Sequence, residues 1–259
     1  LKPLGTVGQI QVVKANVDDA EQVARAVAGA HIVINLTGVL FSRGAQSFTA
    51  IHQDGAGLVA RAAAQAGAQT LIHISAVGAD TESDSAYARS KGEGERRVRE
   101  AFPGAVILRP SLLFGPEDSF FNKFANLARY APALPLIGGG HTKFQPAFVG
   151  DVAAAIVRCA ADRAACGHVY ELGGPSIYSF KELMRIILRE TDRKRLLVPL
   201  PFFVGTLLGF GFSTFSLLLF FLPLASTPLL TMDQVKLLKH DNIASGAGFA
   251  TLGIVPTSV

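Results

Sequence analysis

Residues 70–91 read TLIHISAVGADTESDSAYARSK, and the order of elements within them indicates the fold class. Thr70–Ser75 is an apolar run of the length and composition typical of a buried strand. A polar loop follows, and residues 83–99 lead through it into a pattern typical of a helix. A buried strand that continues through a loop into a helix is typical of the βαβ units that build parallel sheets.

The same alternation extends to both sides of this segment. Apolar runs alternate with helical patterns at regular intervals, so the sequence predicts an α/β fold with a parallel sheet. The other predicted strands in this half are Gln9–Ala15, His31–Leu36 and Ala105–Arg109, and the predicted helices are Asp18–Ala28 and Phe48–Ala66.

The pattern becomes looser after Pro110, where Gly- and Pro-rich connections separate the predicted elements. We therefore predict two layers, a nucleotide-binding layer over residues 1–116 and a smaller, mainly helical layer over residues 117–259. The second layer is predicted to contain helices near Ser119–Tyr130, Val152–Ala160 and Ser179–Glu190, with a short strand at His168–Leu172.

A hydrophobic insert, residues 196–232, contains no charged side chain and holds seven phenylalanines between Phe202 and Phe221. Its central segment, residues 202–222, is as long as a bilayer-spanning helix, which needs ~20 residues. Three interpretations remain open for the insert: a buried helical hairpin, an element on a membrane surface, and a single membrane span. We expect the membrane-surface element, although only Thr and Ser supply the polar face that such an element needs.

Composition excludes several classes of protein. The chain has 259 residues, of which 49% are hydrophobic and 17% charged, so it is not disordered. Its two cysteines cannot form a disulfide framework, and the spacings of its cysteines and six histidines match no metal motif. The net charge is only +4 and basic residues are not interleaved with aromatic ones, so no nucleic-acid partner is expected.

Tyr87 and Lys91 stand four residues apart, a spacing that places both side chains on one face of a helix. A nearby ammonium favours the phenolate and lowers the pKa of a tyrosine, so this pair can exchange a proton with an alcohol or carbonyl centre. Lys91 can also bind the ribose hydroxyls of a dinucleotide. The spacing alone is common, and an exposed Tyr beside a solvated Lys is its alternative interpretation.

Polar or small residues also follow the ends of three predicted strands. Ser75 ends one strand, residues 35–38 end another, and residues 108–116 follow a third. The carboxyl ends of parallel strands meet at one edge of a sheet, which is where open α/β sheets bind ligands. We expect these residues and the helix that carries Tyr87 to form one crevice.

Several segments carry a recognisable family pattern: Ile74–Asp80, Tyr87–Glu93, Ile107–Asp118, Phe144–Ala153, Tyr170–Pro175 and residues 232–257. Through them the sequence resembles the extended and atypical short-chain dehydrogenase/reductase superfamily, of the NAD-dependent epimerase/dehydratase type. More narrowly, it resembles the family of the NAD(P)-binding accessory subunit of respiratory complex I, the alpha-subcomplex subunit nine, and its bacterial relatives. The resemblance covers essentially the whole chain and implies a Rossmann-like doubly wound parallel sheet.

The resemblance also implies roles for individual residues. Ser75 would hold a substrate oxygen, Tyr87 would be the acid/base, and Lys91 would contact the ribose of NADP or NAD. An acidic residue is common in the family at the position of Asn16, which is expected near the adenine, so Asn16 departs from the family pattern. The cofactor-binding residues that the resemblance implies are Asn16, Val17, Leu36, Thr37, Gly38, Tyr87, Lys91, Pro110, Leu112 and Leu113, with no metal ligand among them.

A dinucleotide-binding fold needs a glycine-rich turn after its first strand, where backbone N–H groups and a helix N-terminus meet the pyrophosphate. No G-x-x-G-x-x-G pattern follows a strand in this sequence, and Gly5–Gly8 leads into no helix. We therefore expect a sheet that lacks its first βαβ unit, as in a sequence truncated by about 40 to 50 residues.

Three classes of function fit these observations. In the first, the chain is an accessory subunit whose NADP or NAD is mainly structural, and its partners are membrane-bound respiratory complex I subunits and a membrane surface contacted by residues 196–232. It would then be peripheral, on the cytoplasmic face of a bacterial inner membrane or on the matrix side of a mitochondrial one. In the second, Ser75, Tyr87 and Lys91 serve an active NAD(P)-dependent epimerase, dehydratase or reductase. The third is an NAD(P)-sensing regulator without catalysis.

Overall fold

The structure is a computed structural model that describes residue 6, residues 9–206 and residues 231–259. A π-helical segment, Thr49–Gly55, leads directly into helix α2, and residues 202–206 are also helical. The helices are α1 (Ala20–Val27), α2 (Ala56–Gln65), α3 (Ala86–Ala101), α4 (Phe121–Tyr130), α5 (Val149–Ala161), α6 (Phe180–Glu190), α7 (Met232–Leu237) and α8 (Gly248–Thr251). The strands are β1 (Ile32–Asn35), β2 (Thr70–Ile74), β3 (Val106–Pro110), β4 (Leu113–Phe114), β5 (Ala133–Ile137), β6 (Lys143–Phe144), β7 (Ala147–Phe148), β8 (Val169–Leu172), β9 (Tyr178–Ser179) and β10 (Leu196–Leu200).

The main sheet is parallel and has the strand order β1-β2-β3-β8. Its central strands are buried on both faces, as parallel strands are when helices cover both sides of a sheet. Leu71 and Ile72 of β2 and residues 106–108 of β3 are fully buried. The predicted α/β fold with a Rossmann-like parallel sheet is confirmed, and β8 shows that residues after 116 add a strand to that sheet.

The strand predicted at Gln9–Ala15 is not part of the sheet, and this prediction was wrong. Residues 10–16 have no strand partner among the described residues, and Val12 and Val13 are 60% and 56% exposed. In the doubly wound strand order 3-2-1-4-5-6, the third strand pairs with the second and lies away from the fourth. The described part of the chain holds no strand in that second position, so this segment has nothing to pair with.

Helix α3 carries Tyr87 and Lys91, and it contacts the rest of the fold through Gly94 and through Glu95. It approaches the π-helical segment so closely that a Cβ on Gly94 would lie 2.0 Å from the carbonyl oxygen of His52. Glu95 of α3 is buried and accepts hydrogen bonds from Arg109 Nε and Nη2, both at 2.7 Å. The site residues on α3 are therefore held against both the sheet and the π-helical segment.

The C-terminal residues build an apolar cluster around α4, β5 and α6. Leu196–Leu200, at the start of the predicted hydrophobic insert, forms β10 and pairs in parallel with β5. Residues 207–230, most of the insert, lie outside the described residues. Among the residues that the structure describes, no helix is long and apolar enough to cross a membrane.

Candidate functional site

The carboxyl ends of β1, β2 and β3 lie side by side at one edge of the sheet, as the sequence predicts. Two backbone hydrogen bonds extend the pairing of β2 and β3 past the strand ends. Ser75 N donates to the Leu108 carbonyl at 2.8 Å, and Val77 N donates to the Pro110 carbonyl at 3.0 Å. Ser75 and Pro110 therefore belong to the same edge.

Lys91 points from α3 to this edge. It is buried, and its Nζ donates to the Ile74 carbonyl at 3.2 Å, at the end of β2. A Cβ added at Gly38 would lie 3.4 Å from the same Nζ, so the ammonium is also next to the loop after β1. Burial lowers the pKa of Lys91 to about 8, and the nearby Glu95 carboxylate opposes this shift.

Tyr87 lies one turn before Lys91 and is packed by two other rings. Its ring meets Phe48 and His52 edge to face, at centroid distances of 5.9 and 5.5 Å. Burial raises the pKa of the Tyr87 phenol to about 12. The sequence argument that Lys91 lowers this pKa was wrong, because it considered the charge and left out the apolar surroundings.

Two buried polar atoms near the end of β2 have no hydrogen-bond partner among the described residues: His73 Nε2 and Ser75 Oγ. Since His73 and Ser75 are two residues apart on an extended chain, both lie on the same face of the strand. The other ring nitrogen of His73 lies 3.2 Å from Asn35 Nδ2 on the neighbouring strand. The unpaired hydroxyl of Ser75 fits the predicted role of holding a ligand oxygen, because a buried hydroxyl without a partner is costly.

The loop after β1 contains three predicted cofactor residues. Asn35 Oδ1 accepts hydrogen bonds from Thr37 N at 3.1 Å and from Thr37 Oγ1 at 2.6 Å, which shapes the turn. Gly38 follows beside Lys91, and Leu36 is 65% exposed. The structure thus brings Thr37 and Gly38 to the same edge as Lys91.

The remaining predicted cofactor residues are placed differently. Asn16 is exposed before α1, and Val17 packs against Gly55 at the end of the π-helical segment. Pro110 lies at the strand edge, whereas Leu112 packs against the apolar cluster around α4, β5 and α6, and Leu113 packs against another apolar cluster that β2, β3 and α5 share. A cofactor role for these residues stays a prediction.

Two residues at this site were not found from the sequence. Asp233 of α7 accepts hydrogen bonds from Ala86 N at 2.7 Å and Tyr87 N at 3.0 Å, at the start of α3. Asn242 Oδ1 accepts from Ser111 Oγ at 2.7 Å and Leu112 N at 3.0 Å, beyond the end of β3. Both residues are more than 100 positions away in sequence, so no local signal connects them with the site.

Arg109, near the end of β3, forms structural ion pairs. Its guanidinium contacts Glu95 and, at 3.3 Å, Glu171.

Among residues 9–206 and 231–259, no group of three His, Cys, Asp or Glu side chains is arranged to hold a metal ion.

Comparison with known proteins assigns a family to this geometry. A family model described as NAD(P)H-binding matches residues 1–119. A mouse (Mus musculus) protein named NADH dehydrogenase [ubiquinone] 1 alpha subcomplex subunit 9, mitochondrial, is 34% identical over 99% of this chain and 66% of its own length. Residues 1–119 therefore belong to an NAD(P)H-binding family. The whole chain spans slightly less than two thirds of the mouse relative's length.

Two further matches are consistent with this family. A ceramide reductase from Caulobacter vibrioides is 35% identical over 129 residues, which is 50% of this chain and 40% of the reductase. The solved structure of DesIV, a dTDP-glucose 4,6-dehydratase from Streptomyces venezuelae with NAD bound, superposes with a TM-score of 0.67 at 21% identity, covering 77% of this chain and 70% of DesIV. The family description confirms the predicted cofactor class, NADP or NAD, and the superposition confirms the Rossmann-like fold.

Proposed function

We propose that the protein is an NAD(P)-binding accessory subunit of a respiratory complex I type NADH:quinone oxidoreductase, with a mainly structural cofactor. The observation that carries this proposal is the 34% identity to the mouse alpha subcomplex subunit 9, which extends over 99% of the chain. A match of this extent covers the C-terminal layer and the hydrophobic insert as well as the nucleotide-binding layer.

The geometry at the edge of the sheet supports a dinucleotide as the ligand. The Lys91 ammonium lies beside Gly38, where a ligand can approach the backbone closely, and it can donate to ribose hydroxyls. Thr37 and Ser75 supply hydroxyls near the same strand ends, and Ser75 Oγ has no protein partner among the described residues. A bound NAD(P)(H) would supply hydride chemistry, and these residues would bind and orient it.

The surroundings of Tyr87 support a structural role for the cofactor over catalysis. An acid/base works best with a pKa near the operating pH. Desolvation raises the pKa of the Tyr87 phenol to about 12, so the phenol is a poor general base at neutral pH.

Apolar residues that flank the undescribed part of the insert support a docking role. Leu196 is 72% exposed and Phe203 is 73% exposed, and Met232 is also exposed. We propose that residues 196–232 contact membrane-bound subunits of the complex and the membrane surface. The protein would then be peripheral, on the cytoplasmic face of a bacterial inner membrane or on the matrix side of a mitochondrial one.

Cofractionation with membranes tests the proposal on the full chain. Wild type should sediment with membranes and co-purify with NADH:quinone oxidoreductase subunits, and deletion of residues 202–222 should release it while dinucleotide binding persists. Lys91→Ala is the matched control, because it should lose dinucleotide affinity and stay on the membrane. A deletion variant that remains fully bound would exclude docking through the insert.

A second candidate function, an active NAD(P)-dependent reductase, epimerase or dehydratase, is favoured by the match to ceramide reductase and by the presence of Ser75, Tyr87 and Lys91. Oxidation of NADPH with carbonyl substrates separates the two functions. The accessory role predicts no turnover above background. Turnover that Tyr87→Phe abolishes, with dinucleotide affinity unchanged, would establish the enzyme instead.

A further inference from the structure

His52 lies in the π-helical segment, is buried, and has no part in the proposed function so far. Its Nε2 accepts a hydrogen bond from Val39 N at 3.0 Å, in the loop after β1. Its Nδ1 lies 2.8 Å from Ser90 Oγ on α3, and Ser90 Oγ donates to the Tyr87 carbonyl at 2.7 Å. One imidazole therefore joins the loop after β1 to the first turns of α3.

These partners determine the protonation of the ring. A backbone amide can only donate, so Nε2 must be unprotonated to accept from Val39. Nδ1 then carries the hydrogen and donates to Ser90 Oγ, whose own hydrogen is directed at the Tyr87 carbonyl. An imidazolium would have to point an N–H at the N–H of Val39, so only the neutral Nδ1–H form satisfies every contact.

The groups around His52 favour the same neutral form. Burial, the Lys91 ammonium and His73 lower the pKa of His52 to about 3. The ring stacks on Phe48 at a centroid distance of 5.5 Å and meets the edge of the Tyr87 ring. The imidazole is thus held between two aromatic rings and cannot turn freely.

His52 also lies where the proposed ligand contacts converge. A Cβ on Gly38 would lie 3.6 Å from His52 Nε2 and 3.4 Å from Lys91 Nζ. The loop that would approach the dinucleotide is therefore held by His52 on one side and faces the Lys91 ammonium on the other.

We propose that His52 is a positioning residue for the dinucleotide site: as the neutral Nδ1–H tautomer, it fixes the loop of residues 36–39 relative to Tyr87 and Lys91. The proposal rests on the proposed dinucleotide binding. The role of His52 is to hold two ligand-contacting elements at the correct separation, and His52 does not itself touch the reacting atoms.

Two substitutions separate the two hydrogen bonds. The amide of Asn occupies the region of Nδ1, and the amide of Gln reaches the region of Nε2. His52→Asn should keep the bond to Ser90 and lose the bond to Val39, and His52→Gln should do the reverse. Both lose the imidazole ring, so each is the other's control for lost packing, and His31→Asn at an exposed position is the neutral control.

Binding of NADPH and NADH to the full chain measures the consequence. Loss of one neutral hydrogen bond is worth about 1 kcal/mol, or roughly a fivefold change in Kd. His52→Asn should weaken binding of the preferred dinucleotide by about fivefold or more, and His31→Asn should leave it unchanged. Equal Kd values in wild type, His52→Asn and His52→Gln would overturn the positioning role.

A second measurement does not depend on the cofactor. Imidazole ¹⁵N spectra of the unliganded protein should show His52 as the Nδ1–H tautomer without titration from pH 5 to 8. Amide exchange at Val39 should accelerate in His52→Asn and remain slow in His52→Gln. An Nε2–H tautomer, titration near pH 6.5, or equal Val39 exchange in both variants would overturn the proposed connection. If wild type binds neither dinucleotide, the proposed function and the cofactor role of His52 fail together, and these spectra still decide whether His52 joins the loop to α3.

Discussion

At the residue scale, burial changes the titration of Lys91 more than its charged neighbours do. An ordinary lysine has a pKa of about 10.4, and Lys91 in the folded protein has one of about 8. Between these values the unfolded chain binds a proton that the folded chain lacks. Stability that depends on Lys91 must therefore rise with pH across this window, because stability rises wherever the unfolded state binds more protons.

Comparison with Lys91→Met tests this linkage, because the other titrating groups cancel in the difference. The free energy of unfolding of wild type minus that of Lys91→Met should increase from about pH 8 to about pH 10.4. Dinucleotide affinity of wild type should fall over the same range as the ammonium loses its proton. Urea titrations at each pH measure the first quantity, and a difference that is flat with pH would contradict the burial of Lys91.

The sequence predicted that Ser75 and Lys91 lie at one edge of the sheet, because a strand end and a spacing of four residues on a helix are local properties, and the structure places both there. The catalytic and cofactor roles of Ser75, Tyr87 and Lys91 stay predictions. The sequence was not sufficient for the direction of the Tyr87 pKa shift, since that depends on Phe48 and His52 packing around the ring. His52 carries no local signal at all. Its partners Val39 and Ser90 are 13 and 38 residues away.

At the element scale, helix α3 depends on a buried ionic network. Glu95 is 1% exposed and contacts Arg109 of β3 and Arg99 of its own helix. Glu95→Ala should lower the free energy of unfolding by about 3–5 kcal/mol, because it leaves the Arg109 cation without its main partner. Chemical denaturation measures this loss.

Glu93→Ala is the matched control for that experiment. Glu93 lies on the same helix and pairs with Arg96 and Arg97 on the more exposed side. Its loss should cost at most about 1 kcal/mol, as for other partly exposed ion pairs. Similar losses for Glu93→Ala and Glu95→Ala would show that the buried network does not fix α3.

The N-terminus of α3 depends on a residue from the other end of the chain. The Asp233 carboxylate accepts from two backbone N–H groups and from Ser85 Oγ at 2.9 Å, and its charge also suits the positive end of a helix. Asp233→Ala should cost about 1–2 kcal/mol of stability, in the range of a lost N-cap. The control is Asp18→Ala, at an exposed position. Amide exchange at Ala86 and Tyr87 should become faster in Asp233→Ala and not in Asp18→Ala, which would show that the loss of stability arises at the start of α3.

At the scale of the whole molecule, long-range pairing explains which elements the sequence did not predict. The strands β2 and β3 and the helix α3 follow from local apolar patterns. Leu196–Leu200 was assigned to an uncharged insert, and it became a strand only because Ala133–Ile137 offers a parallel edge. Likewise, the apolar run Gln9–Ala15 has strand composition and no strand partner among the described residues.

The segment after the insert connects the C-terminal layer to the site. Asp233 holds the start of α3, Lys236 Nζ donates to the Asp84 carbonyl at 3.1 Å, and Asn242 holds residues 111–112. Residues 233–242 therefore contact both the helix with Tyr87 and Lys91 and the loop after β3. A ligand that orders these elements should order this segment as well.

Hydrogen exchange of the full chain with and without NADPH tests this connection. At a dinucleotide concentration of about 100 times Kd, the folded state should gain about 2.7 kcal/mol, and slower exchange should extend from residues 86–91 to residues 231–242. In Asp233→Ala the slowing should remain in α3 and be lost from residues 231–237, because that variant removes the bonds between the two segments. Slowing confined to α3 in wild type would show that the post-insert segment moves independently of the site, and docking at residues 196–232 could then not influence the cofactor through Asp233.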